Sequence, residues 1–232
     1  MSAKSRNNKN QIKEKYMGKP AKIAIRVILV SLTIVVLGIA GLAGLATYMS
    51  NSAISKASVA VEGQIMGNPE GTLTVVEFVD YRCHYCPIMN KTLTEALEFE
   101  DDIKVIIRPV GWVDDMSKPI GLFVLATSKQ GKSVELHKRL MDLAALPDLD
   151  VTKSIAQSIG VDVAKAEQDA KTDQIAQMLQ DNQDYVMNAG FQGIPALIIG
   201  GWRYQPDDVG MKSVNNLRIK FSDSFKRLKN EK

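Results

Sequence analysis

The only two cysteines in this 232-residue chain stand three apart, as Cys83-His84-Tyr85-Cys86. One thiolate attacks a disulfide and a second, nearby thiol resolves the mixed disulfide that forms, so a close pair suits thiol–disulfide exchange. The same residues have plainer uses. As a structural staple, so small a ring removes only about 2 kcal/mol of loop-closure entropy from the unfolded chain, and tight-ring strain subtracts from that. As a metal site, Cys83, His84 and Cys86 offer three ligands where structural zinc takes four, and the only other histidine, His137, is far away in sequence. The spacing therefore favours redox chemistry, with no metal and no cofactor expected.

The elements around the pair fit that chemistry. Leu73 to Val79 is an apolar, β-branched run that reads as a buried strand, whereas Pro87 followed by Ile88, Met89, Leu93, Ala96 and Leu97 reads as a helix. The pair thus lies where strand hands over to helix. The unpaired N–H groups and the dipole at the first turn of that helix favour a thiolate at Cys83. Within the strand, Val75, Glu77 and Val79 share a face by period two. Burial of a carboxyl there raises its proton affinity, which lets Glu77 relay a proton to or from the inner cysteine, Cys86.

The run Glu77-Phe78-Val79-Asp80-Tyr81-Arg82-Cys83-His84-Tyr85-Cys86, preceded by Gly67-Asn68-Pro69 and followed by Gly193-Ile194-Pro195-Ala196, resembles the DsbA-like branch of the thioredoxin superfamily. The likeness extends from about residue 64 to 204. It implies an α/β, thioredoxin-like fold with an inserted helical domain at about 117–189. It also implies Cys83 as the exchanging sulfur, Cys86 as the resolving one, Glu77 beneath the pair, and Pro195 as a cis-proline facing it. Ile194 would then present its backbone to an extended substrate chain. The dipeptide between the cysteines departs from the family oxidase, which has Pro-His. Here His84 follows Cys83, where its protonated form would favour the thiolate, and Tyr85 in the second place resembles the isomerase and metal-resistance members. The dipeptide fits either direction of electron flow, with oxidase or isomerase favoured over reductase. Trp112, in the loop after the next strand, is a candidate substrate contact and equally a residue packed at a domain seam.

Beyond these motifs, Ile103 to Pro109 reads as a second strand. Residues 117–189 carry apolar residues at helical spacing, punctuated by Gly131, Pro147 and Gly160. His137 falls in this block and reads as an ordinary, partly exposed helix residue with no role. Gly200-Gly201 marks a hairpin turn. From Asp207 to Lys229, Val209, Val214, Leu217, Phe221, Phe225 and Leu228 recur as a closing helix.

The net charge of +3 hides an asymmetry, since the first 26 residues hold eight basic side chains against Glu14 alone. The remainder is net negative and offers no basic surface for nucleic acid. Residues 27–49 are almost wholly apolar, about the length that spans a bilayer. They read as a transmembrane signal anchor following a basic cytoplasmic tail, 1–26, with the amino terminus inside and the C-terminal domain periplasmic or otherwise extracytoplasmic. Gly44-Leu45-Ala46 offers an alternative cleavage site. Gly38, Ala40, Gly41 and Gly44 leave an oligomer possible through the span. Residues 50–63, rich in Ser, Ala and Asn, read as a linker, and 64–232 as the redox domain. The expected setting is the inner membrane, crossed once. The expected partners are exported cysteine-containing proteins, a membrane redox partner and, through the anchor, lipid. The competing class is a membrane-anchored chaperone or binding protein on the same scaffold, with the cysteines idle.

Overall fold

The computed structural model describes residues 3–61, 63–205 and 212–230. The chain divides into two compact units, Met1–Tyr48 and Met49–Lys232. In the first, the chain is helical throughout its described residues as the larger part of α1 (Ala3–Ala57). From Ile23 onward α1 is long and apolar enough to cross a membrane, with a mean hydropathy of 2.7 over an 18-residue window. The Ser31, Thr33 and Thr47 hydroxyls donate back to carbonyls three or four residues earlier. These polar groups are therefore satisfied within the helix, as a hydrocarbon environment demands.

The second unit is built on a five-stranded sheet ordered β1 (Ile65–Gly67), β3 (Ile103–Pro109), β2 (Leu73–Val79), β4 (Ala196–Ile199), β5 (Trp202–Tyr204). Strands β2 and β3 run parallel and the other pairings are antiparallel. The parallel pair is joined through α2 (Cys86–Leu97), since parallel neighbours need a crossover. Between β3 and β4 come α3 (Ser117–Thr127), α4 (Ser133–Met141), α5 (Leu149–Ser158), α6 (Val163–Asp169) and α7 (Asp173–Asn188). The hairpin between β4 and β5 turns at Gly200 and Gly201, whose φ values of 55° and 84° suit glycine. The last helix, α8 (Val214–Asn230), buries Leu217 and Phe221. Asp207 and Val209, expected in that helix, lie outside the described residues.

Strand β2 is central and covered on both faces. Val75, Val79, Val105, Ile107, Leu197 and Ile199 pack on one side with Met89 and Leu93 of α2, Leu136 of α4 and Phe221 of α8. Val76, Phe78, Ile106 and Ile198 pack on the other with Val186, Ala189 and Phe191.

Ala53 and Ala57 complete that second cluster, so residues 50–57 of the expected linker are helical and part of the core. The chain is helical as far as Ala57, and Ala53 and Ala57, four apart, present one small-residue face to the sheet. The Ser50 hydroxyl donates to the Ala189 carbonyl. Arg108 of β3, buried beneath, donates to the carbonyls of Ala57 at 3.0 Å and Val59 at 2.6 Å. Carbonyls at a helix end have no partner within the helix, and this guanidinium supplies one.

Candidate active site

Strand β2 ends at Val79, and seven residues later the chain enters α2 at Cys86, with Pro87 in the first turn, where its missing N–H leaves nothing unpaired. The intervening turn is fastened by Asp80. Its buried carboxylate accepts the backbone N–H of Arg82 at 2.9 Å, of Trp112 at 3.0 Å and of Val113 at 3.2 Å. Next along, Arg82 pairs with Asp114 at 2.7 Å and donates to the carbonyls of Leu146 and Pro147. The cysteine turn, the loop after β3 and the helical insertion are thus joined through two side chains of this turn, Asp80 and Arg82.

Both cysteines are free thiols, Cys83 7% exposed and Cys86 fully buried. The Cys83 Sγ donates to the Ile194 carbonyl oxygen at 3.8 Å, and the Ile194–Pro195 bond is cis. The two sulfurs differ in acidity. Hydrogen bonding from the Cys86 thiol, aided by the Tyr85 and Cys86 backbone N–H groups, brings the Cys83 pKa down to about 7 against the opposing effect of burial. Burial, together with the partner sulfur and the Glu77 charge, pushes the Cys86 thiol well up. A pair divided in this way presents one nucleophile at neutral pH and keeps the other protonated until it is needed.

Beneath the pair, Glu77 is fully buried, and desolvation raises its pKa to about 7, opposed only in part by a hydrogen bond from Asn90. The Asn90 amide nitrogen lies 3.1 Å from Glu77 Oε2, 3.3 Å from Oε1 and 2.8 Å from His137 Nε2. The other ring nitrogen, Nδ1, is 3.3 Å from the Tyr81 hydroxyl, with the two rings edge to face. His137 is therefore not the partly exposed residue expected. It is fully buried, and burial followed by the nearby Lys138 charge brings its pKa down to about 3, so the ring is neutral. Although Glu77 Oε2 lies 3.8 Å from Nε2, this is a contact between a carboxyl group and an uncharged imidazole.

Of the residues singled out from sequence, Cys83, Cys86, Ile194, Pro195 and Glu77 gather in one place. His84 and Tyr85 are both exposed, Tyr85 at 58%. Trp112, 37% exposed, reaches the turn through its backbone N–H to Asp80. Sequence reading missed the contributions of Asp80, Arg82, Asn90 and His137. Asn90 had a signal, since it lies four residues after Cys86 and so shares the buried stripe of α2 with Met89 and Leu93. His137 had only its place on the apolar face of α4.

A family model described as thioredoxin matches residues 60–213. Among solved structures, the thiol-disulfide exchange protein α-DsbA2 of Wolbachia pipientis superposes with a TM-score of 0.65 at 24% identity, covering 75% of this chain and 95% of that one. ScsC of Proteus mirabilis in a transitional conformation gives a TM-score of 0.65 at 21% identity over 98% of both chains. BdbD of Bacillus subtilis, in its oxidised form, gives 0.59 at 16% identity over 73% of this chain and 97% of that one. A search of curated proteins finds no match. With its central β2–α2–β3 unit, its cysteine pair at the head of α2 and the matching family model, the chain belongs to the thioredoxin family, in the DsbA-like form of that fold.

Proposed function

We propose that this protein is a membrane-anchored thiol–disulfide oxidoreductase acting on exported cysteine-containing proteins outside the cytoplasm. The observation that carries the reading is the division of acidity within the pair, a low-pKa sulfur at Cys83, which keeps a little exposure beside the Ile194 carbonyl, and a fully buried high-pKa one at Cys86. In the reducing direction, the Cys83 thiolate attacks one sulfur of a substrate disulfide and the other leaves as a thiolate. Cys86 gives its proton to Glu77 and attacks the Cys83 sulfur, which releases the second substrate thiolate and leaves the pair oxidised by two electrons. The same steps reversed place a disulfide in the substrate. Ile194, whose carbonyl faces Cys83, offers backbone for strand-like pairing with an extended substrate, and Pro195 follows it.

A stabilised thiolate stabilises the reduced pair and makes the disulfide form the better oxidant, which favours oxidase or isomerase action over reductase action. The apolar stretch of α1 supports single-span anchoring in the inner membrane, and the basic preface supports an amino terminus inside. A membrane redox partner would then reset the pair. The test is equilibration of the protein with glutathione. A potential of about −120 to −180 mV supports oxidase or isomerase action, and about −270 mV would mean a reductase. Cys83→Ser should abolish exchange and Cys86→Ser should trap mixed disulfides. Holding of unfolded protein that survives both replacements, with no exchange in the parent, would leave the binding-protein reading in its place.

A further inference from the structure

Among the described residues, Glu77 has no cation beside it. Its register partner on β3 is Ile107, and the next residue, Arg108, faces the opposite side of the sheet, where Ala57, Val59 and Asn182 take up its guanidinium. The charged and titratable groups around Glu77 come from three elements. They are Cys86 on α2, His137 on α4 with Lys138 acting on it, and Asp80 and Tyr81 in the turn after β2, with Cys83 beyond Cys86. The uncharged Asn90 amide of α2 is the hydrogen-bond donor to the Glu77 carboxyl.

The donor and acceptor rules allow one arrangement of these side chains. An amide nitrogen carries two hydrogens and accepts none, so Asn90 donates one to Glu77 and the other to His137 Nε2. That makes Nε2 the acceptor of the neutral ring and puts its proton on Nδ1, which donates to the Tyr81 oxygen. Because Asn90 donates in both directions, no proton passes along this chain. It is a brace and not a wire. Without an acceptor at Nε2 the amide is free to turn its oxygen toward the carboxyl group, which removes the donor that stabilises the carboxylate.

We propose that His137 is a positioning residue for Glu77, acting through Asn90 to keep an amide N–H on the carboxyl group and so to hold it ready to take the Cys86 proton. The inference rests on the reading of Glu77 as that proton acceptor. It assigns His137 and Asn90 an effect on the exchange reaction at one remove from the sulfurs, which burial and packing alone do not confer.

The experiment uses the full chain in detergent micelles, with Cys83 joined to glutathione as a mixed disulfide, and follows release of glutathione by Cys86 from pH 5 to 9. The parent, Glu77→Gln, Asn90→Leu, His137→Phe and the double variant are compared, each with its melting temperature as a check of folding. Glu77→Gln should remove the limb of the profile that belongs to the carboxyl group. Asn90→Leu should move that limb upward by about one pH unit, a tenfold change in proton affinity. His137→Phe should move it the same way, and the double variant no further than Asn90→Leu alone. Should His137→Phe fail to fold, His137→Leu, which also lacks the Nε2 acceptor, takes its place with the same expected shift. A limb lost in Glu77→Gln but unmoved in His137→Phe overturns the brace and leaves the role of Glu77 standing. A limb that persists in Glu77→Gln overturns both.

Discussion

The Cys83 sulfur lies 3.8 Å from the Ile194 carbonyl oxygen, across a gap of 111 residues in the chain. A substrate strand pairing with that backbone would therefore bring its own sulfur against Cys83, which is the geometry a mixed disulfide needs. The Cys83 pKa near 7 gives the first prediction. Thiolate absorbance at 240 nm should titrate near pH 7 in the reduced protein and lose that step in Cys83→Ser. Cys86→Ala removes the foremost cause of the lowered value, so alkylation of Cys83 should then need a higher pH. An unchanged midpoint would show that the backbone N–H groups alone are responsible.

The second prediction concerns Glu77 and the direction of its effect on stability. Its pKa rises from 4.5 in the unfolded chain to about 7 in the fold, so the native state holds a proton that the unfolded state releases between those values. Stability falls as pH rises through that window and stays at the lower level above it. Glu77→Gln should accordingly stabilise the reduced protein by roughly 3 kcal/mol at pH 8 and by little at pH 4, read from urea unfolding. His137 works in the opposite sense. With a folded pKa near 3 against 6.5 unfolded, it lowers stability as pH falls from 6.5 toward 3, and His137→Phe should flatten that acid limb.

Asp80 supports a third prediction. Its carboxylate is buried and holds three backbone N–H groups from two loops. Replacing it by Ala leaves those donors dry, at a cost of about 3 kcal/mol or more in urea unfolding. The fluorescence of Trp112 should report the released loop. A loss below about 1 kcal/mol would mean that water replaces the carboxylate.

The end of α1 supports the fourth. A fragment beginning at Met49 keeps Ala53, Ala57 and the carbonyls that Arg108 holds, whereas one beginning at Gln64 uncovers Val76 and Phe78 and leaves the buried guanidinium short of partners. The longer fragment should melt several degrees higher. Equal melting temperatures would show that Ala53 and Ala57 contribute nothing to the core.

Much of this architecture is legible in the chain itself. The bounds of β2 and β3, the glycine hairpin and the helical insertion follow from apolar period and turn residues, because those signals are local. What escaped was set by partners distant in sequence. Residues 51–57 look like a linker because Ser, Ala and Asn have no strong apolar period, yet alanine is a good helix former and a small side chain is what fits against a sheet. His137 looks ordinary because the groups that bury it, Tyr81 and Asn90, come from two other segments. Glu77 was conspicuous because a carboxyl group in a strand of Val, Phe and Leu breaks the pattern on the spot.

Strand β2 is hydrogen-bonded along both edges and covered on both faces, and the cysteine turn follows it directly. Amides of such a strand open to solvent only when the whole domain unfolds, so those of Val75 to Val79 should be among the last to exchange with deuterium. Loops that fray have reactivities that follow their own local opening. The reactivity of Cys83 belongs instead to the native state, because the groups that set its acidity, the Cys86 thiol and the backbone N–H groups of Tyr85 and Cys86, are placed where this strand hands over to α2.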